Sequence, residues 1–272
     1  MSNTNGKTNP TPKSGPLFEL PLHKDASVKH VIAVGSGKGG VGKSTVTSIL
    51  AVMLSRLGLT VGIMDADLTG PSIPQAFGIH EQARGEETTI RPTRSMTGIQ
   101  VISMNVLLDD PMKPVVWRGP VIGTVIKQFW SNVVWEDVDI LLIDMPPGTG
   151  DVPLTIYQSL PVKGMIMVST PQDLVRIIVQ KAANMADMMQ VPLLGLVENM
   201  SYIKCHHCEE VIYPFGSGKA KEAAADLGVP LLAEIPLDSG YSSLVDAGRI
   251  ETIPGLQLED AVQAILQRCG LA

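Results

Sequence analysis

The sequence has few aromatic residues, few cysteines and no long apolar run. Phe, Trp and Tyr make up 4% of its 272 residues, so a core must be built mainly from aliphatic side chains. Its three cysteines, Cys205, Cys208 and Cys269, are too few and odd in number for a disulfide framework. No apolar stretch is long enough to span a bilayer, and residues 1–16 lack the apolar segment of a signal peptide. We therefore expect a cytoplasmic protein in a reducing compartment.

The charge balance limits the partners of the chain. Its formal net charge is −6 at neutral pH. DNA, RNA and anionic membranes usually require a basic face on the protein that binds them. We therefore expect neither nucleic acid nor a membrane as the main partner.

Strand and helix patterns alternate along most of the chain. Residues 1–25 are rich in Asn, Thr, Lys, Gly and Pro, which predicts a flexible tail. Short apolar runs such as residues 30–34 and 139–143 then predict buried strands with amphipathic helices between them. One such helix would have an apolar face formed by Leu174, Ile177, Ile178, Met185, Met188 and Met189. The alternation predicts one α/β domain over residues 26–272, a mainly parallel sheet with helices on both faces, plus a cysteine-bearing insertion at residues 200–215.

The clearest motif is a glycine-rich loop between a predicted strand and a predicted helix. It fits the pattern G-x-x-x-x-G-K-[ST], in which inward-pointing backbone amides and the start of a helix bind phosphate oxygens. Lys43 is predicted to reach the β- and γ-phosphates, and Ser44 to supply a hydroxyl to magnesium. The predicted ATP-binding residues are Gly37, Lys38, Gly39, Gly40, Val41, Gly42, Lys43, Ser44 and Thr45.

Acidic residues follow two of the predicted strands. Asp65 and Asp67 come after the apolar run 61–64, and Asp144 ends the run 139–143. Carboxylates at the carboxyl ends of parallel strands point into the crevice where ligands bind. Asp144 is thus predicted on the magnesium side of the nucleotide. The Pro- and Gly-rich residues 145–151 have the composition of a switch that orders around a γ-phosphate.

Lys38 makes the glycine-rich loop more specific. With it, the loop reads K-G-G-x-G-K-[ST] and resembles that of the MinD/ParA/nitrogenase-iron-protein class of P-loop ATPases. In that class the extra lysine reaches the nucleotide of the partner subunit, as an arginine finger does. The resemblance implies that Lys38, Lys43 and Asp67 are catalytic. It also implies that Asp67 orients the attacking water and Asp65 contacts magnesium through water, two roles that could be exchanged.

Cys205 and Cys208 form a C-x-x-C pair directly after a predicted strand. With this pair, the chain resembles the Mrp/ApbC group of iron–sulfur carrier ATPases. Trp117 and Arg118 belong to the resemblance without an assigned chemistry. The matching segments are residues 37–45, 65–72, 117–120, 144–151, 198–202 with the two cysteines, and 235–238.

The resemblance implies a shared cluster site. A 4Fe–4S cluster typically needs four cysteines, so two thiolates cannot hold one alone. The family's arrangement would be a homodimer in which each subunit supplies Cys205 and Cys208 to one labile cluster. Apo iron–sulfur proteins and cluster-assembly factors are then the expected partners. Asn199 matches the position that holds the adenine ring, with Pro236 on the other side of the base.

Other interpretations of the cysteine pair remain open. It could be half of a zinc site completed by His206, His207 or a second subunit, a thioredoxin-type redox pair, or a pair of structural thiols. His206 stands where many relatives of the resembled family have proline. Cys269 is expected to have no role.

The whole chain also has alternative functions. A positioning ATPase of the ParA or MinD kind would share the nucleotide residues but needs a basic DNA-facing surface or a basic amphipathic final helix. The predicted final helix instead carries Glu259 and Asp260 near its start and only Arg268 near its end. An ATP-using ligase on the same fold would leave Cys205 and Cys208 unused.

Overall fold

The structure, a computed structural model, describes residues 20–67, 72–86, 89–107, 119–205, 207–217, 219–254 and 257–272. The strands within these residues are β1 (Val28–Ser36), β2 (Val61–Asp65), β3 (Arg84–Glu86), β4 (Thr89–Arg91), β5 (Thr93–Arg94), β6 (Gln100–Ile102), β7 (Val138–Asp144), β8 (Val162–Ser169), β9 (Leu193–Glu198), β10 (Ile203–Lys204), β11 (Val211–Ile212) and β12 (Leu231–Glu234). The helices are α1 (Lys43–Arg56), α2 (Ile73–Ala76), α3 (Gly119–Ser131), α4 (Asp151–Ser159), α5 (Asp173–Met188), α6 (Lys219–Leu227), α7 (Ser239–Asp246) and α8 (Glu259–Cys269).

Eight strands form the main sheet, in the order β12-β9-β8-β1-β7-β2-β6-β5. Every neighbouring pair is parallel except β5 and β6, which are antiparallel at one edge. The central strands are apolar on both faces, as expected when helices cover both sides of a parallel sheet. The predicted mainly parallel α/β fold is confirmed.

The core has one layer on each face of the sheet. Along β1, Ile32 and Val34 pack on one face with α1, α2, α7 and α8, while Val31 and Ala33 pack on the other face with α3, α4, α5 and α6. This alternation follows from the period of two along a strand. Because both layers are almost fully buried, they hold the strand ends of the sheet in fixed relative positions.

The structure differs from the predicted tail at residues 20–25. The Leu20 amide donates to the Ser159 carbonyl at 3.1 Å, and the Trp130 indole N–H donates to the Leu20 carbonyl at 2.8 Å. Leu20 and Leu22 also pack against the second core layer. These few apolar side chains attach the segment to the domain, although its overall composition resembles a loop.

The predicted apolar face of α5 is wrong at one residue. Met188 is 76% exposed, whereas Met185 and Met189 pack against the core. Smaller side chains on α5, those of Val179, Ala182, Ala183 and Ala186, are buried as well, while the side chains of residues 173–178 lie outside what the structure describes. Small side chains there let the helix pack close to the sheet.

Candidate nucleotide and thiol site

The phosphate loop, residues 37–45, connects the end of β1 to the start of α1. Gly40 and Gly42 have φ values of +77° and +79°, which side-chain-bearing residues rarely adopt. A Cβ on Gly42 would lie 2.1 Å from Nδ2 of Asn199, so this glycine is also required for space. The Ser36 hydroxyl donates to the Lys38 carbonyl at 2.9 Å and fixes the start of the loop.

Lys43 lies among the acidic side chains that follow β2 and β7. Its Nζ is 2.8 Å from a carboxylate oxygen of Asp144 and 3.7 Å from one of Asp67. Only 6% of the lysine side chain is exposed. A lysine held this way carries its charge at the mouth of the phosphate loop, where a triphosphate would bring negative charge.

Asp144 is buried and receives two hydroxyl donors from α1. The Ser44 hydroxyl donates to it at 2.6 Å and the Thr47 hydroxyl at 2.8 Å. Hydroxyl and carboxylate oxygens are ligands that Mg²⁺ prefers, so Ser44 and Asp144 fit a magnesium ion. Thr47 was missed by the sequence analysis, although it lies one helical turn after Lys43 and therefore on the same face of α1.

Asp65 and Asp67 occupy different environments. Asp65 is fully buried, pairs in register with Asp144, and accepts hydrogen bonds from the Ser103 hydroxyl at 3.0 Å and the Asp67 amide at 3.1 Å. Burial raises the pKa of Asp65 well above its usual value, and the nearby Asp144 carboxylate raises it further. Asp67 is partly exposed and lies nearer the open side, facing Lys43.

The loop after Asp144 lies against the phosphate loop. The Met145 amide donates to the Val34 carbonyl and the Gly148 amide to the Ser36 carbonyl, both at 2.9 Å. Gly148 has a φ of +85°, and α4 starts at Asp151. The predicted switch residues therefore border the residues that would hold the nucleotide.

The Lys38 side chain contacts a residue of its own chain. Its Nζ donates to the side-chain carbonyl of Gln172, just before α5, at 2.5 Å. The side chain lies at the exposed rim of the site rather than in contact with Lys43 or the carboxylates.

A cavity beside the phosphate loop, which we call the base cavity, has a volume of about 160 Å³. Asn199 lines it, and its side-chain amide donates to the Val41 carbonyl at 2.9 Å. Pro236 and Tyr241 also line this cavity. The structure thus brings Asn199 and Pro236 together in one cavity with Gly42 and Thr45.

Cys205 and Cys208 lie at the turn of the small antiparallel hairpin formed by β10 and β11. The Cys205 amide donates to the Glu210 carbonyl, and the Glu209 amide donates back to the Cys205 carbonyl, both at 2.9 Å. Backbone N–H groups of Cys208 and His207 point at the Cys205 sulfur and lower the pKa of this thiol. Cys205 is half-buried and Cys208 is exposed, so both are accessible to a ligand.

Exposed apolar side chains surround this thiol hairpin. They form a patch that we call the hairpin patch, and each is between 37% and 49% exposed. Large apolar side chains grouped on a surface commonly mark a contact site. The members are Ile203, Val211, Ile212, Tyr213, Phe215 and Leu237.

The pair has no further ligand in its own subunit, as far as the described residues extend. Among them, no group of three or more His, Cys, Asp or Glu side chains could hold a metal ion. His206, Trp117 and Arg118 lie outside the described residues. Cys269 is buried at the end of α8, and burial raises the pKa of its thiol. No described helix is long and apolar enough to cross a membrane.

The parallel sheet, the phosphate loop and the acids at the ends of β2 and β7 together define a P-loop nucleoside triphosphatase. The model of the ParA family described as NUBPL iron-transfer P-loop NTPase matches residues 27–269. The chain belongs to this family, in agreement with the resemblance found in its motifs.

Proteins of known name are similar over most of the chain. An iron-sulfur cluster carrier protein of Clostridium perfringens is 45% identical over 233 residues, which cover 83% of this chain and 82% of the relative. The iron-sulfur protein required for NADH dehydrogenase, mitochondrial, of Arabidopsis thaliana is 40% identical over 257 residues, covering 93% and 80%.

Solved structures share the fold. A nucleotide-binding protein of Archaeoglobus fulgidus in complex with ADP has a TM-score of 0.74 and 42% identity, and the match covers 85% of this chain and 94% of that one. The cell division ATPase MinD of Pyrococcus furiosus, at 23% identity and a TM-score of 0.60 over 90% and 100% of the two chains, shows similarity of fold alone.

Proposed function

We propose that this protein is an ATP-hydrolysing carrier that binds a labile iron–sulfur cluster through Cys205 and Cys208 and passes it to apoproteins. The observation that carries the proposal is the C-x-x-C pair on an accessible hairpin beside a complete P-loop site. The names of the relatives in Clostridium perfringens and Arabidopsis thaliana support the same cargo.

Binding and hydrolysis of ATP would use residues that already lie together at the phosphate loop. Backbone amides of residues 37–45 would bind the phosphates, and Lys43 would hold the β- and γ-phosphates. Ser44, Asp65 and Asp144 would hold Mg²⁺, which neutralises charge on the phosphates when bound. Asp67, the more exposed acid, would orient the attacking water.

Lys38 would complete the site of a second subunit. Its contact with Gln172 is at the rim of the subunit, and an exposed lysine there can turn to another chain without breaking a buried interaction. A charge supplied from the partner would make hydrolysis depend on dimer formation.

The pair Cys205 and Cys208 requires a second subunit to bind a 4Fe–4S cluster. Each hairpin offers two sulfur ligands, and the described residues add no third. A two-fold axis through the hairpin patch would bring four cysteines together and would cover exposed apolar side chains at the same time. A cluster held at such an edge could leave for apo iron–sulfur proteins, helped by cluster-assembly factors, in the cytoplasm.

Anaerobic reconstitution with iron and sulfide tests the proposal. We expect bound iron and acid-labile sulfide, with charge-transfer absorbance, at one 4Fe–4S cluster per two chains. Cys205→Ser and Cys208→Ser should each abolish binding, while Cys269→Ser, the matched control, should retain it. Wild-type protein that binds no iron and sulfide under these conditions would rule out the carrier function.

A further inference from the structure

A second cavity lies next to the base cavity and contains Cys205. This thiol cavity has a volume of about 340 Å³, and Tyr202, Lys204, Cys205 and Glu209 are among the residues that line it. The two cavities have a wall in common, and the residues that line both are Pro236, Leu237, Asp238 and Tyr241. The nucleotide base and the cluster thiol would therefore occupy opposite sides of one thin layer of protein.

Two chain segments, residues 199–202 and 235–238, build this layer, which we call the partition. They are joined to each other and to β9 by backbone hydrogen bonds. The backbone N–H of Ile235 donates to the Glu198 carbonyl at 2.8 Å, and that of Ser201 donates to the Ile235 carbonyl at 2.9 Å. The backbone N–H of Leu237 donates to the Tyr202 carbonyl at 2.7 Å. These three hydrogen bonds tie the two segments of the partition to each other and to the end of β9.

One end of the partition is fixed to the phosphate loop. The Asn199 side-chain amide donates to the Val41 carbonyl at 2.9 Å, and the Asn199 backbone N–H donates to the Ser169 carbonyl at 2.8 Å. Met200 has a φ of +57°, an unusual value for a residue with a long side chain. Such a conformation persists only where the surroundings hold it, so this end is tightly constrained.

The other end of the partition leads directly into the thiol hairpin. Tyr202 is followed by β10, and β10 by Cys205, with no glycine between residues 199 and 205 to add slack. The Cys205 backbone is in turn hydrogen-bonded to the backbone N–H of Glu209 and the carbonyl of Glu210. A shift of the partition would therefore move Cys205 together with the hairpin to which it belongs.

We propose that filling the base cavity with a nucleotide repositions Cys205 through the partition, with Asn199, Met200 and Leu237 as positioning residues. The inference rests on the proposed function, because it links the nucleotide site of the proposed carrier to the cysteine pair that would bind the cluster. Asn199 would exchange its bond to the phosphate loop for contact with the base, and Pro236 would settle against the other side of the base. Coupling between two sites is reciprocal, so a change at Cys205 must also change nucleotide affinity.

The first experiment measures Cys205 in metal-free protein. The rate of its alkylation by iodoacetamide is followed by peptide mass spectrometry with and without saturating Mg-ADP. We expect the rate to change by about fivefold or more, the lower end of typical coupling between sites. The ADP dissociation constant of protein alkylated at Cys205 should also differ from that of unmodified protein. An unchanged rate or an unchanged dissociation constant would overturn the proposal.

Variants at Leu237 test the route. Leu237→Pro removes the N–H that donates to Tyr202, whereas Leu237→Ala, the matched control, keeps it. At saturating ADP, we expect the nucleotide effect on alkylation to be lost in Leu237→Pro and retained in Leu237→Ala. If Leu237→Pro does not fold, Met200→Gly serves instead, because glycine loosens the same connection at a left-handed position. A folded variant that keeps the full nucleotide effect would contradict the route.

The outcomes separate this inference from the proposed function. Protein that binds a cluster but shows no nucleotide effect on Cys205 would refute the coupling and leave the carrier function standing. Protein that binds no iron and sulfide, yet alkylates at a nucleotide-dependent rate, would refute the carrier function and support the coupling.

Discussion

Lys43 contacts both Asp144 and Asp67 from the start of α1. Because its charge lies where a γ-phosphate would develop negative charge, we expect Lys43→Ala to lower the rate of ATP hydrolysis about a hundredfold or more. Lys29→Ala is a suitable control, since Lys29 pairs with Asp139 at the opposite end of β1 and β7. Phosphate release at saturating ATP measures both. If Lys43→Ala hydrolyses ATP at the rate of the control, Lys43 takes no part in hydrolysis.

Thr47 is fully buried and donates to Asp144, a carboxylate that is itself 0% exposed. Thr47→Val keeps the volume but leaves this acceptor with one donor fewer, which should lower the free energy of unfolding by about 1.5–3 kcal/mol. Thr47→Ser keeps the hydroxyl and should cost less. Urea unfolding of nucleotide-free protein compares the two, and equal losses would contradict a role for the hydroxyl.

Cys205 should react at lower pH than an ordinary thiol. The thiolate is the nucleophile, and the N–H groups of Cys208 and His207 lower the pKa of Cys205 from its usual value of 9.0. In metal-free protein, the midpoint of its alkylation rate against pH is therefore expected below 9.0. Cys269 is an internal control, because burial shifts the pKa of its thiol upward. A Cys205 midpoint at or above that of Cys269 would contradict the assignment.

The residues that the sequence analysis identified best were those with a fixed position in a motif. Lys43, Ser44 and Asp144 lie together because the loop, the helix start and the strand end occur at one edge of a parallel sheet. Thr47 and Ser103 were not identified, since a lone hydroxyl in an apolar helix or after a short strand has no local signal. Their roles depend on the tertiary contact with Asp144 and Asp65.

At the scale of secondary structure, long apolar strands were predictable and short or mixed elements were not. β1, β7, β8 and β9 follow the apolar runs in the sequence. By contrast, α7 has no fully buried residue and includes Gly240, so its sequence reads as a loop. The hairpin of β10 and β11 is held by two register pairs and by turn hydrogen bonds around Cys205, which a two-residue strand pattern cannot reveal.

The central strand β7 should carry much of the stability. Leu142 is fully buried between β1 and β2 in the first core layer. Leu142→Ala would leave a cavity there, and we expect a loss of about 2–5 kcal/mol in the free energy of unfolding. Met188→Ala, at a residue that is 76% exposed, is the control and should change it little. Urea unfolding measures both, and a small effect at Leu142 would contradict the assigned core.

At the scale of the whole molecule, the nucleotide site and the thiol hairpin lie at the same end of the sheet. Both are built on segments that follow the carboxyl ends of parallel strands, the phosphate loop after β1 and the hairpin after β9. That end of the sheet also carries Lys38 and the hairpin patch. One interface could therefore complete both sites.

The hairpin patch provides the test of that interface. We expect Val211→Ser combined with Ile212→Ser to weaken dimer formation, because both side chains are more than 40% exposed in one subunit and would be buried between two. Sedimentation velocity of protein reconstituted with iron and sulfide measures the effect. The variant should be monomeric and should hold little cluster, although Cys205 and Cys208 are intact.

The matched control replaces exposed apolar residues away from the hairpin, Leu57→Ser with Met96→Ser, at side chains that are 60% and 85% exposed. It should sediment as the wild type and bind one cluster per two chains. Since two thiols leave a 4Fe–4S cluster short of ligands, loss of the dimer and loss of the cluster should occur together. A monomeric hairpin-patch variant that still binds a full cluster would show that one subunit supplies all the ligands, and the shared site would then be wrong.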